Sequence, residues 1–399
     1  MGFLSTMRGA VSKYLAPVDN RGGWWPIIRE PYSGAWQNND ELSVDSQLAY
    51  YAVYSCVTLI SNDIGKLRVK LVELQGGVWT EITSPAFSPV LRKPNRYQNH
   101  IQFKEWWAMS KLTRGNTYAL KQRDNRGVVV ALYLLDPQRV TPLVAEDGSV
   151  YYQLAQDNLS GVQAINVTVP ASEIIHDRMN CLFHPLVGIS PLYACGLAAA
   201  QGLSIQSQSR KFFNNGSRPS GVLTAPGSIS DETAARLKEA WETKFTGDNA
   251  GKVAILGDGL KYDAMVMKSS DAQLIEQLKM TAEMVCAAFH VPAFKVGIGA
   301  MPTYQNGETL NGIYYSDCLQ SMIEQMEACL DEGLGLNGQN VGVELDLDGL
   351  LRMDQTAQAE YLNKLVGGSI ITIDEARQRI DLKSVDGGSS IYMQQQNYS

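Results

Sequence analysis

The chain has 399 residues, 45% of them hydrophobic, which is enough apolar surface for two or three cores and excludes an intrinsically disordered polymer. A net charge of −7 argues against a protein that grips nucleic acid tightly, because such binding rests on phosphate neutralisation by clustered Lys and Arg. The longest strongly apolar run, residues 128–135, falls far short of the roughly 20 residues that a membrane-spanning helix needs, so no membrane partner is expected.

At the N-terminus, Arg8 and Lys13 interrupt what a secretory signal would need as a continuous apolar stretch. Gly2 and Thr6 match the spacing of a myristoylation pattern, which leaves a lipid-anchored scaffold as one reading beside a plain amphipathic start. Residues 1–45, rich in Gly, Pro and Trp (Trp24, Trp25, Pro26, Pro31), are expected to form an arm with little regular structure. From Ser46, Leu48, Ala52, Cys56, Leu59, Ile60 and Ile64 recur at helical spacing up to Gly65, and Leu67, Val69 and Leu71 then alternate as in a strand. A second helix over 101–114 stops at Gly115, and strands follow at 117–123, 128–135, 138–144 and 149–155. This part reads as α+β with antiparallel pairing.

Ser190 and Pro191 form a helix start, and the helix runs to about Asn214 with few bulky side chains. Such a helix either packs closely against copies of itself or lies mobile on the surface. Its partner is residues 271–290, where Ser270 and Gln273 fit a capping box, Leu274, Leu278, Ala282, Val285 and Phe289 make one stripe, and Pro292 ends the helix. The two helices bracket a small lobe: a strand at Gly221–Thr224, a helix from Asp231 capped by Ser230, and strands at 252–256 and 260–267. A loop of about 16 residues follows, then a helix from Glu308 to about Glu332, a strand at Val341–Leu347, a helix near Asp354–Val366, and a short helix opened by the Thr372 and Glu375 capping box. The tail, 391–399, is polar and expected to be disordered.

Catalytic motifs fail on spacing. In GDNAGKV (247–253) one residue too few separates Gly247 from Gly251, and Val253 stands where a hydroxyl must hold magnesium. GLGLNG (333–338) follows a helix and precedes a strand, the reverse of the dinucleotide-binding order, and is a helix stop and turn. His176, Cys181 and His184 lack a fourth zinc ligand nearby and fit core or turn roles better. Glu344, Asp346 and Asp348 alternate with apolar residues as the wet face of a strand, not a calcium loop. The six scattered cysteines read as reduced core residues. The expectation is a non-enzyme without cofactors; a nucleotide-dependent enzyme using the glycine loops is the competing class, and ATP hydrolysis would reveal it.

Several segments, in this order and spacing, resemble the portal proteins of tailed bacteriophages, in the family found with siphovirus-type heads. They are YSCVTLISNDIGKL (54–67), GNTYAL (115–120), LDPQRV (135–140), GISPL (188–192), FFNNGSRPSGVL (212–223), AGKVAILGDGLKY (250–262), DAQLIEQLKMTAEMVCAAFHVP (271–292) and TIDEARQRIDL (372–382). Tyr304, Asn306 and Glu308 match the family's loop-to-helix junction, whereas the proline that members often carry in the following helix is absent between Cys318 and Ile323, and Gly297–Gly299 looks like an addition.

The resemblance implies a portal fold: an N-terminal arm (1–45), an α/β wing (46–189, completed by the long helix and return strand, 308–349), stem helices (190–216 and 269–291), a small α/β clip (217–268), a tunnel loop (292–307) and a helical crown (350–390). It implies a ring, usually of twelve, at one capsid vertex of the virion, assembled in the bacterial host cytoplasm. The ring would conduct double-stranded DNA in packaging and ejection. Implied partners are other copies of the chain, the terminase large subunit, a head-completion or adaptor protein, the major capsid protein and scaffold. On this map Lys295, Tyr304, Gln305 and Asn306 face DNA; Ala198, Gln201, Gln208, Gln277 and Met280 lie at the subunit interface; and Arg236, Lys238, Trp241 and Lys244 form the docking surface. For Lys295 the alternative is a lysine directed at solvent or an acidic neighbour.

Overall fold

The computed structural model describes residues 15–17, 47–145, 147–214, 221–224, 230–233, 235–236, 261–264, 271–299, 307–347, 350, 355–380 and 382–391. Most of the N-terminal arm, much of the 217–268 lobe, residues 300–306 and residues 392–399 therefore lie outside the described residues.

Strand β1 (Leu15–Pro17) pairs with a later strand, and helix α1 (Tyr51–Gly65) buries Ala52, Val53, Cys56, Val57, Ile60 and Ile64 on one helical face. Strands β2 (Arg68–Gln75) and β3 (Val78–Ile82) form a hairpin around Gly76 and Gly77, both at positive φ. A one-turn helix, α2 (Ser88–Arg92), leads to α3 (His100–Arg114), which opens with a reciprocal capping box between Asn99 and Gln102. Gly115 ends α3 at φ 74°, and a Cβ there would meet the backbone of Gly188 at 2.5 Å, so both conformation and space demand glycine.

Strand β4 (Asn116–Arg123) is central to a three-stranded antiparallel sheet, with β5 (Val129–Leu135) on one side and β9 (Ile174–Arg178) on the other. Strands β6 (Val140–Ala145), β7 (Val150–Asp157) and β8 (Val162–Pro170) form a meander, with β1 on the free edge of β6. The strand expected at 138–144 starts later because Pro137–Arg139 makes a 3₁₀ turn capped by Asp136, whose side chain accepts from the Gln138 N–H. Strands β1, β3, β8 and β9 were not anticipated, β1 lying in the arm expected to have little regular structure.

Helix α4 (Leu192–Asn214) starts after Ser190, whose hydroxyl accepts from the Leu192 N–H and donates to Leu112 O. Strands β10 (Gly221–Thr224) and β11 (Lys261–Ala264) pair antiparallel, within the spans expected for the lobe, and residues 231–233 and 235–236 are helical. Helix α5 (Asp271–Ala288) buries Ala282 and Val285, two members of the expected stripe. It ends earlier than Pro292 implied: His290 takes a left-handed φ of 55°, and the Val291 N–H turns back to Cys286 O.

The long helix is α6 (Gly307–Tyr314), a π-turn over Tyr315–Leu319, and α7 (Gln320–Leu334), stopped by Gly335 at φ 76°. The interruption overlaps only the start of the proline-free stretch Cys318–Ile323, and the ladder is broken there by wide turns, not by a lost donor. Strand β12 (Val341–Asp346) completes a sheet of order β12-β2-β3, and α8 (Gln355–Gly367) and α9 (Ile373–Gln378) follow, the latter with the expected capping box.

Two cores result. The larger gathers α1, α3, α4, α5 and the long helix around Trp107, Ile60, Leu192, Val285 and Leu319; the smaller lies between the meander and β4, around Tyr118, Leu154 and Val169. Burial of each such aliphatic side chain favours folding by roughly 1.5–3 kcal/mol. The architecture is α+β with small antiparallel sheets.

Candidate functional site

The small residues of α4 are used inside the chain. Ala199 is fully buried, and a Cβ on Gly202 would fall 2.4 Å from the Tyr50 ring, so the glycine lets α4 lie directly on that ring. The Tyr50 hydroxyl in turn bonds Thr281 Oγ1 at 2.9 Å, tying α5 to the start of α1. Among the residues expected at a subunit interface, Ala198 is half-buried against the main core of its own chain. Gln201 and Gln208 on α4 and Gln277 and Met280 on α5 are exposed. Around them α5 also shows Ile275 and Met284 to solvent, a run of large apolar side chains on a helix whose other face is already packed.

Lys295 stands on a 3₁₀ turn (Ala293–Val296) at the foot of the long loop. Its ammonium donates to Asn311 Oδ1 at 2.6 Å and sits 4.9 Å from the centre of the Tyr314 ring, a cation–π contact. The half-buried lysine is thus tied to α6, a neutral and aromatic setting that neither sequence alternative foresaw. Gly297 takes φ 76°, and the Ile298 N–H returns to Ala293 O, which turns the chain sharply after the lysine. Tyr304, Gln305 and Asn306 lie outside the described residues, as do Lys238, Trp241 and Lys244; Arg236 is helical and exposed.

The helix that follows the loop is anchored by polar contacts that sequence reading missed. Lys111 and Asp177 form an ion pair of 2.7 Å with side chains only 1% and 2% exposed. Asp177 also accepts from Trp107 Nε1 at 2.7 Å, and Lys111 donates to Gln325 Oε1 of α7 at 2.5 Å. A pair this deep persists because its remaining valences are met; loss of one partner would leave a buried charge and cost about 3–5 kcal/mol. Farther along α7, Glu327 accepts the Leu345 N–H and Asp331 the Val343 N–H, each on β12, and Lys121 donates to Gly333 O. Burial pushes both the Glu327 and Asp331 carboxyls above the usual carboxylate range. Helix α7 is therefore fastened to two sheets, whereas α6, beyond the π-turn, carries the Lys295 contact. The available signal was the helical spacing of Lys111, three and four residues after Ala108 and Trp107, which puts it on their face of the helix.

His176 has a core role, as expected. Its ring stacks on Tyr118 at 4.2 Å, Nδ1 accepts from the Tyr152 hydroxyl at 3.0 Å, and Nε2 donates to Asn116 Oδ1 at 3.1 Å. Burial holds its pKa well below the ordinary histidine value. His184 Nδ1 accepts the Leu186 N–H in a turn, and Cys181 is exposed, unlike the buried role expected for the cysteines in general. Among the described residues no group of three or more His, Cys, Asp or Glu could hold a metal ion, and no helix is long and apolar enough to cross a membrane. Gly335 and Gly338, both at positive φ, make the expected helix stop and turn. The GDNAGKV segment lies outside the described residues.

These features are those of a packed α+β scaffold, and comparison with known proteins gives its family. The portal protein of Enterobacteria phage HK97 is 24% identical over 418 residues, spanning 97% of this chain and 95% of that protein. A chain in the neck of a native gene transfer agent particle computed with C12 symmetry superposes with a TM-score of 0.58, at 23% identity, covering 85% of this chain and 92% of its own. An HK97 family phage portal protein from Corynebacterium diphtheriae superposes with a TM-score of 0.59 at 17% identity, covering 77% of this chain and 96% of its own. The sequence model described as phage portal protein matches residues 51–381, from the first turn of α1 to just past α9, and on that match the chain belongs to the phage portal protein family.

Proposed function

We propose that this chain is one subunit of a ring of twelve copies at a capsid vertex, through which double-stranded DNA enters during packaging and leaves during ejection. Members of the family are structural components of the capsid, and this chain is one of them and not an enzyme. The observation that carries the reading is the family match over residues 51–381, joined to a fold shared with a chain from a neck of C12 symmetry.

The physical properties are consistent with a conduit. Twelve copies at −7 each would carry about −84, a field that opposes tight DNA binding, so the duplex slides and is not held. A closed ring of identical chains needs a heterologous contact, one face of a subunit against a different face of the next. The exposed Gln201, Gln208, Gln277 and Met280 serve this contact, with Ala198 beside them. Lys295, whose ammonium keeps donors beyond those given to Asn311, touches phosphates weakly together with Tyr304, Gln305 and Asn306. Arg236, Lys238, Trp241 and Lys244, on the 217–268 clip, receive the terminase large subunit and later a head-completion protein. Wing segments 46–189 and 308–349 meet the major capsid protein and scaffold, the stem is 190–216 with 269–291, the loop 292–307 faces DNA, and 350–390 form the crown. Assembly takes place in the bacterial host cytoplasm.

The test is the native mass of the purified protein, with end-on particle averages. A species near twelve times 43.9 kDa, with an open centre of roughly 20 Å or more, is expected, since the centre must pass a duplex. A species that stays monomeric even with capsid protein and scaffold present would overturn it.

A further inference from the structure

Four of the cysteines converge from different parts of the chain. Cys56 on α1 donates its S–H to Cys286 on α5 with the sulfurs 3.9 Å apart, across 230 positions of sequence, and both residues are buried. Cys195 on α4 and Cys318 in the π-turn are buried close enough to act electrostatically on Cys56. The contact lies in the seam where α5 meets α1, about one and a half helical turns beyond the Tyr50–Thr281 hydrogen bond, and α1 and α5 run in the same direction along it. Neither thiol is needed to bury apolar surface, since alanine or valine would do that without a reactive group. The shared S–H sets the two thiols apart: it holds Cys286 below its ordinary pKa against the opposing effect of burial and raises Cys56, so Cys286 is the thiol poised to attack an oxidant first.

We infer that Cys56 and Cys286 form a reversible disulfide that clamps α5 onto α1 when the protein meets an oxidising environment. Bond formation needs the sulfurs to close from 3.9 Å to about 2.05 Å, through side-chain rotation and whatever approach of the two helices the bond geometry demands. With hydrogen peroxide as oxidant, the Cys286 thiolate attacks one peroxide oxygen and expels hydroxide, giving a sulfenic acid. The Cys56 sulfur then attacks the Cys286 sulfur and expels the hydroxyl as water. The balance is two thiols and one peroxide to one disulfide and two waters. Peroxide is small enough to enter on local opening of a helix seam. The setting of the switch rests on the portal reading: thiols persist during assembly in a reducing cytoplasm and oxidise after the particle is released. The clamp would then stop α5 sliding along α1 once DNA is inside.

The experiment uses the full chain with Cys181→Ser, which removes the exposed thiol. After peroxide treatment, denaturation, alkylation and peptide mapping, we expect a linked Cys56–Cys286 peptide, two fewer alkylatable thiols, and a melting temperature raised by several degrees and restored by dithiothreitol. In Cys56→Ala or Cys286→Ala the oxidant leaves melting unmoved. Full alkylation of both thiols after peroxide, or pairing of Cys286 with Cys195 or Cys318 instead, overturns the clamp; that mapping needs no variant of the buried pair to fold. Native mass on the same sample separates the two ideas. A ring without the bond removes the clamp alone, and a monomer that forms the bond keeps the clamp while counting against the portal reading.

Discussion

Lys104 shows how much a single side chain is asked to tolerate. It is 2% exposed, its ammonium donates to Leu67 O, and burial brings its pKa down from 10.5 to about 8, with Glu105 offsetting part of the effect. Because the folded state releases this proton first, between pH 8 and 10.5 the unfolded chain binds more protons, and stability rises with pH across that window. The charged form is therefore a cost that is fully present below about pH 8 and relieved above it. The gap between the two values corresponds to about 3 kcal/mol. Lys104→Met removes the titration, so the unfolding free energy of the wild type should gain on the variant by up to about 3 kcal/mol from pH 7.5 to 10.5. Urea unfolding at several pH values measures it, and a difference that stays constant with pH would refute the assignment. Reading the sequence placed Lys104 in a helix but could not reveal that it points inward, because its apolar neighbours come from strands and helices far along the chain.

At the scale of elements, starts and stops were legible where a local side chain or glycine makes them. Gly115, the Ser190–Pro191 start and the Thr372–Glu375 box all act within a few residues of themselves. Strands β8 and β9 were not legible: β9 reads IIHDR, too short and too polar to show a strand period, and its buried Asp177 is satisfied only by Trp107 and Lys111, which arrive from helix α3. The small-residue pattern of α4 was legible, but its partner was not. Gly202 fits Tyr50 of the same chain, so Gly202→Val should lower stability by about 1–3 kcal/mol through overpacking against a fully buried ring. In α6, where a Cβ on Gly312 meets nothing within 4 Å, Gly312→Ala should instead raise stability by about 0.5–1 kcal/mol. Thermal melting of the two variants side by side checks the contrast; equal shifts would show that α4 does not rest on Tyr50 as described.

For the whole molecule, the outer face of α5 carries the prediction that matters most. Met280 is 48% exposed beside the exposed Ile275 and Met284, so Met280→Asp should leave the melting of the isolated chain almost unchanged. If this face is the subunit contact, the same variant should shift native mass from rings to small species, because it places a charge in an apolar interface. Rings that form as readily as the wild type would assign the contact to another face. Ala198 is less informative as a probe, since a large residue there would disturb the chain's own core before it disturbed a neighbour.

The sequence by itself determined the α+β class, the pair of helices on either side of the bracketed lobe, the turn role of GLGLNG, and the resemblance that the family match bears out. These are properties of local periodicity, of glycine and capping chemistry, and of motif order, all of which act over short stretches of chain. Only the tertiary structure decided which faces were already taken: the small side of α4 by Tyr50, Lys295 by Asn311 and Tyr314, α7 by Lys111 and the backbone of β12, and Cys56 by Cys286. Each of these joins residues from separate segments, and burial and polar satisfaction depend on what the rest of the chain brings to that place, which no window along the sequence contains.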